Sequence, residues 1–96
     1  MGAPEAKNEN YLRKRVKAEG GQIRKLRWIG RRGAPDDMVW WSGPRFAFVE
    51  VKAPDGILSK LQQREIAQLR DAGFNVYVVY NYEDVEQMIA AVKGTT

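Results

Sequence analysis

The chain contains no cysteine and no histidine. Without cysteine there is no disulfide framework, no thiolate zinc site and no sulfur nucleophile. Without histidine the commonest general base is missing, and with Ser42 and Ser59 as the sole serines a Ser-His hydrolase is excluded. No run approaches the roughly 18 continuous apolar residues needed to cross a bilayer. The opening MGAPEAKNEN lacks the apolar centre of a secretory signal. A cytoplasmic protein with no membrane partner is therefore expected. No glycine-rich phosphate loop ending in Lys-Ser/Thr follows any strand-like run. Gly20-Gly21-Gln22 spells the GGQ of peptide-release factors, but between a helix and a strand it reads as a C-cap turn.

What is present fits one small domain, residues 1–96, with 1–7 as a flexible lead-in. A chain of this size buries only about 60–65% of the surface its unfolded form exposes, so a monomer is marginal. Three Trp, four Tyr and three Phe supply a core or an interface. The net charge of +4 is unevenly spread: residues 1–52 carry +6 and residues 53–96 carry −2. Such asymmetry points to a polyanionic partner, most simply nucleic acid, because Lys/Arg contacts with phosphates release counterions. Ordinary solvated surface charge is the alternative.

Asn8–Glu19 reads as a helix capped by Asn8 and stopped by Gly20-Gly21, with Leu12 and Val16 as its apolar stripe. Glu9 falls on that inward stripe, which is unusual for an acid. Gln22–Ile29 alternates as a strand, Gly30–Pro35 is a basic loop, Met38–Trp41 a second strand and Phe46–Lys52 a third. Trp40 and Trp41 must face opposite sides of the sheet. Ser59 starts a helix with an inward stripe of Ile66, Leu69 and Ala72. Phe74–Tyr80 is a buried strand, and Asn81 caps a last helix carrying Val85, Met88, Ile89 and Val92. The order is α-β-β-β-α-β-α, an α+β arrangement of helices flanking a sheet.

Pro35-Asp36 precedes Glu50-Val51-Lys52 by thirteen residues. Period-two geometry puts Phe46, Phe48, Glu50 and Lys52 on one strand face, with Glu50 and Lys52 about 7 Å apart. An antiparallel neighbour brings Asp36 to the same place. Two carboxylates with the Val51 carbonyl form a hard oxygen set suited to Mg²⁺ or Mn²⁺, and Lys52 can orient or help deprotonate an attacking water. The blander reading is an i, i+2 salt bridge at a solvated strand end. Arg31 and Arg32 are the foremost phosphate contacts, with Arg13, Lys14, Lys17, Arg24 and Arg27 extending the patch.

The run GRRGAPDD, then FVEVK, then LSKLQQREIAQLRDAGFNVYVV resembles the VRR-NUC family of virus-type replication-repair nucleases, within the PD-(D/E)xK superfamily. The resemblance extends from Glu9 to the last helix. It implies a restriction-endonuclease-like core with a central mixed sheet, and metal-dependent hydrolysis of DNA. It makes Glu9 the acid that completes the metal site, Asp36 and Glu50 the central ligands and Lys52 the catalytic lysine, and it matches Gln62 to the glutamine of an L-S-x-x-Q element. Asp37 beside Asp36 leaves the ligand assignment open.

Two of these residues have structural alternatives. Ser59-Lys60-Leu61-Gln62 is a capping box in which Gln62 returns a hydrogen bond to Ser59, with Gln63 as its substitute if the helix starts later. Glu9 can pair with Arg13 at i, i+4, worth only about 0.3–0.5 kcal/mol. Stand-alone relatives of this kind look like resolvases of branched DNA. A symmetric homodimer is therefore expected, burying surplus apolar surface such as one Trp and the Met88 helix. The rivals are a non-catalytic nucleic-acid-binding module that keeps the fold, and a nuclease subunit that needs a partner.

Overall fold

In the computed structural model, which describes residues 4–94, the periodicities of the sequence resolve into seven elements. They are α1 (Pro4–Ala18), β1 (Gln22–Lys25), β2 (Asp37–Trp41), β3 (Arg45–Val51), α2 (Lys60–Asp71), β4 (Val76–Val79) and α3 (Tyr82–Lys93). The expected order α-β-β-β-α-β-α holds. The strands lie in the order β1-β2-β3-β4. The first three form an antiparallel meander with Val39 opposite Ala47, and β4 joins β3 in parallel with Val78 opposite Glu50. A parallel pair needs a crossover, and α2 supplies it.

The two sheet faces differ sharply. Ile23, Val39, Trp41, Ala47, Val49 and Val51 form the core face, under Leu12 and Val16 of α1 and Val85, Met88, Ile89 and Val92 of α3. The opposite face carries a looser aromatic cluster in which Phe48 meets Phe46 at 4.9 Å, Trp28 at 5.7 Å and Phe74 at 5.8 Å between ring centres. The helix α2 contributes one buried residue, Ile66. Leu69 is half-buried and Ala72 is exposed, so the expected stripe on this helix is shorter than its periodicity implies. Met88 itself lies wholly inside the protein's own core, so it is not part of any surplus apolar surface on its helix.

The first helix begins at Pro4, not after Asn8, so residues 4–7 of the expected flexible lead-in are helical; residues 1–3 lie outside the described part. Proline is tolerated in the first helical turn because the N–H it lacks has no partner there. Asn8 is not a cap. It is buried and donates from Nδ2 to the carbonyls of Lys52 (2.8 Å) and Tyr80 (2.7 Å), tying α1 to the ends of β3 and β4. The first strand ends at Lys25, four residues earlier than expected. After Leu26, whose N–H still reaches the Asp36 carbonyl, the chain leaves the ladder and the Trp28 indole donates to the Pro35 carbonyl at 2.8 Å.

The tryptophans do face opposite sides. Trp41 is in the core and donates to the Glu19 carbonyl at 3.0 Å, while Arg24 lies over the Trp40 ring at 5.1 Å. Gly21 is required by this packing, since a Cβ there would come within 2.5 Å of the Trp41 ring. Ser59 and Asn81 cap α2 and α3 as their side chains suggest.

Candidate active site

Extending the β2–β3 register by one residue places Asp36 opposite Glu50, just where the antiparallel pair meets the C-terminal end of β3. Trp28 fixes the carbonyl of the buried Pro35, and the next carboxylate turns inward so that Asp36 Oδ2 accepts from the Val51 N–H at 3.2 Å. Glu50 is only 3% exposed. Its Oε2 accepts from Gln62 Nε2 at 3.1 Å, and its Oε1 is buried without a hydrogen-bond partner. Lys52, two residues on, donates from Nζ to Gln62 Oε1 at 3.2 Å.

Gln62 therefore caps its helix and also reaches Glu50 and Lys52. Its Oε1 also accepts from the Ser59 N–H at 2.9 Å while Ser59 Oγ receives the Gln62 N–H at 3.0 Å, which is the full capping box. The cap holds the carboxamide in place, and the carboxamide joins Glu50 to Lys52. Gln63 turns away to the Leu58 carbonyl. The basic loop presses against the same helix start: at Gly33, whose φ is +78°, a Cβ would lie 2.9 Å from the Gln62 nitrogen. Only a residue without a side chain lets loop and helix meet this closely.

Burial and the neighbouring Asp36 carboxylate raise the Glu50 carboxyl well above the ordinary range, with Lys52 acting in the other direction. Two apposed acids, one with an unpartnered buried oxygen, make a site that is electrostatically incomplete. The donor set of Asp36, Glu50 and the Val51 carbonyl fits a hard divalent ion. Among the described residues no three acidic side chains converge tightly enough to hold an ion alone. Mg²⁺ and Mn²⁺ take part of their coordination from waters and substrate phosphate oxygens.

Glu9 is inward-facing, as its place on the stripe suggested, but the structure puts it elsewhere. It pairs with Arg13 Nε and Lys25 Nζ, each at 3.3 Å, and faces Asp37. Asp37 is fully buried on the core face; both its oxygens lack hydrogen-bond partners, and Arg13 Nη2 is 3.8 Å away. Burial first, and Glu9 second, drive its carboxyl upward. The two adjacent aspartates thus serve different faces, Asp36 facing Glu50 and Asp37 facing α1. The acid of α1 whose charge acts on Glu50 is Glu5, one turn before Glu9. Sequence reading missed it because the helix was started at Asn8; Pro4 in a first helical turn was the available signal.

The cations divide as well. Arg31 and Arg32 line a cleft with Arg64 against α2, where Arg31 is held by Glu65 at 2.5 Å. Arg13 is committed to Glu9, Arg27 is exposed beyond β1, and Lys14 is exposed on α1.

A mixed sheet whose central strand ends in an acid pair, a lysine and a helix-borne glutamine defines the class: a nuclease-type fold built for phosphodiester chemistry. The comparisons with known proteins agree. The VRR-NUC domain model matches residues 3–82, and the chain belongs to that family. It is 36% identical over 84 residues to "Putative nuclease p44" of Acyrthosiphon pisum secondary endosymbiont phage 1, covering 88% of this chain and 89% of that one. It also superposes on a solved VRR_NUC domain with a TM-score of 0.85 at 36% identity, over 92% of this chain and 96% of the other.

Proposed function

We propose that the protein is a Mg²⁺- or Mn²⁺-dependent endodeoxyribonuclease that cuts branched DNA, acting as a homodimer in the manner of a junction resolvase within the cytoplasm of a bacterium or phage-infected host. The observation that carries this reading is the Asp36–Glu50 pair, with a buried unpartnered oxygen beside Lys52. Asp36, Glu50 and the Val51 carbonyl would hold the ion, with Glu5 adding negative charge from α1. When bound, the ion supplies a Lewis acid for the phosphate and a lowered pKa for water.

The protein's own groups do the rest. Gln62 orients the Lys52 ammonium toward the acid pair. The ammonium positions the water and offsets charge that develops on the phosphate. Arg31 and Arg32 draw the backbone toward the cleft, Arg31 exchanging Glu65 for a phosphate, and Arg27 extends the contact. Phosphate contacts from Arg31 and Arg32 carry no sequence information, so DNA shape sets selectivity at this site. Pairing of two copies would cover the exposed Ile29 and Ile57, which are 90% and 82% accessible.

The test is incubation of pure protein with labelled four-way junction, flap and linear duplex in Mg²⁺, Mn²⁺ or EDTA, beside Lys52→Ala. Metal-dependent cutting of branched DNA that the variant loses supports the reading. Binding without cutting in any metal sinks it in favour of a binding module or a subunit needing a partner. A monomer by sedimentation at working concentration would remove the paired-cut element.

A further inference from the structure

On the side of α1 away from the arginine cleft lies a second surface with nucleic-acid chemistry. Tyr11 of α1 and Tyr82 of α3 stack almost in parallel, with ring centres 4.0 Å apart and planes within 9°. Tyr11 is clamped from behind: its hydroxyl donates to Glu86 at 2.7 Å, and Glu86 is itself held by Arg15 Nε at 2.7 Å. Tyr82 is not clamped. It is 47% exposed, and among the described residues its hydroxyl takes part in no hydrogen bond.

Two adjoining grooves, of about 650 and 380 Å³, share Tyr82 and Lys7. Lys14 lines the smaller one; it stands seven residues from Lys7 and so lies on the same side of α1. Neither lysine has an acidic partner among the described residues. The larger groove is also walled by Asn8 and Pro54. Asn8 is the residue that holds the Lys52 carbonyl, so the groove runs up to the edge of the acid pair's strand. Glu83 lines the α3 side, which confines any bound anion to the lysine side.

We propose that this groove is a subsite for an unpaired nucleotide, whose base stacks on Tyr82 while its flanking phosphates pair with Lys7 and Lys14. A rigidly backed, half-exposed aromatic ring between two free cations is what single-strand recognition requires, because every base offers a stacking face. The subsite deepens the nuclease reading and rests on it for the identity of the polymer. It offers a way to tell a flap or overhang from continuous duplex, because only the former carries an unpaired base to stack.

The test uses the full chain in EDTA, where binding is read without cutting. Fluorescence anisotropy would compare a duplex bearing a short single-stranded overhang with a blunt duplex, for wild type, Tyr82→Ala, Tyr82→Phe and Lys7→Gln/Lys14→Gln. Tyr82→Ala should lower the overhang-to-blunt affinity ratio by about tenfold, and Tyr82→Phe should preserve it. The double lysine variant should flatten the salt dependence of overhang binding by about 1.4 in log–log slope.

An unchanged ratio in Tyr82→Ala overturns the proposal, as does a Tyr82→Phe variant as weak as Tyr82→Ala, which would replace stacking by a hydroxyl contact. A shift of Tyr82→Ala to a smaller sedimenting species also overturns it, making the surface a contact between copies. Thermal melts confirm that each variant is folded. The metal-dependent cutting assay is separate: its failure with an intact Tyr82-dependent ratio would remove the nuclease reading and leave the subsite standing.

Discussion

Replacing Glu50 by glutamine should make the metal-free protein more stable while destroying its use of metal. Glu50 is 3% exposed, faces Asp36 and has one buried oxygen with no partner, so the fold holds its proton well above the ordinary value of 4.5. A carboxyl raised on folding binds more protons in the native state, so its contribution is fully present below about pH 4.5 and is lost as pH climbs toward the raised value. At about 1.4 kcal/mol per pH step, the ceiling at pH 7 is roughly 3 kcal/mol. Relaxation around the buried Glu50 carboxyl brings the expected gain to about 1–3 kcal/mol.

Glutamine keeps the shape and has no proton to lose. Its advantage should be under about 1 kcal/mol at pH 5 and grow to the full amount by pH 7.5. For a domain of this length that is a melting shift of roughly 5–15 °C at the higher pH. The assay is thermal or urea unfolding in EDTA at both pH values, repeated with Mg²⁺. Wild type should gain stability from Mg²⁺ and the variant should not. A variant less stable than wild type, or one whose advantage is the same at pH 5 and 7.5, would refute the account of Glu50 as a charge awaiting a cation.

Asp36→Asn should abolish metal-dependent cutting, whereas Asp37→Asn should retain it and raise stability at neutral pH by about 1–3 kcal/mol, as seen by cleavage assays beside urea melts. Lys52→Ala should slow cutting by about 10²–10³-fold while leaving affinity for junction DNA in Ca²⁺ near wild type, measured by single-turnover kinetics and anisotropy. Glu19, held low by Lys93 and then Arg15, and Glu86, held low by Arg15 and then Tyr11, lend stability above the ordinary carboxylate range. That contribution disappears as pH falls through their lowered values, and Glu86→Gln should shrink the acid loss in a pH series of urea midpoints. Glu65→Gln should free Arg31 and tighten DNA binding at low salt, with the difference fading at high salt.

Much of this architecture is readable from residue spacing because the local signals agree. Period-two alternation in Phe46–Lys52 separates the acid and lysine from Ala47, Val49 and Val51, and the structure keeps that separation. The caps Ser59 and Asn81 announce their helices through a side-chain oxygen three residues from a waiting N–H. Asn8 failed by the same rule. A buried carboxamide that serves two distant carbonyls has the composition of a cap but takes its partners from strands 44 and 72 residues away. Non-local partners leave no trace in spacing.

The neighbours of the first-helix acid were hidden for a related reason. Glu9 is on the inward stripe, yet that stripe meets Lys25 and Asp37 on the core face of the sheet, whereas the acid pair sits toward α2. Helical periodicity gives the direction of a side chain but not which strand lies opposite it. The premature end of β1 was equally hidden, since it depends on Trp28 finding the Pro35 carbonyl across a loop.

The crossover has a consequence in time. Glu50 lies in the antiparallel meander, Asp36 and Lys52 border its strands, and all three precede α2 and β4 in the chain. Gln62 and β4 come later, and β4 closes against β3 only once the whole crossover is available. Until then β3 has an open edge, Lys52 has no carboxamide to hold it and Asn8 lacks the Tyr80 carbonyl. A half-made chain therefore carries every charged group of the site without the frame that aligns them. Alignment of the site thus depends on residues that lie after the meander in the chain.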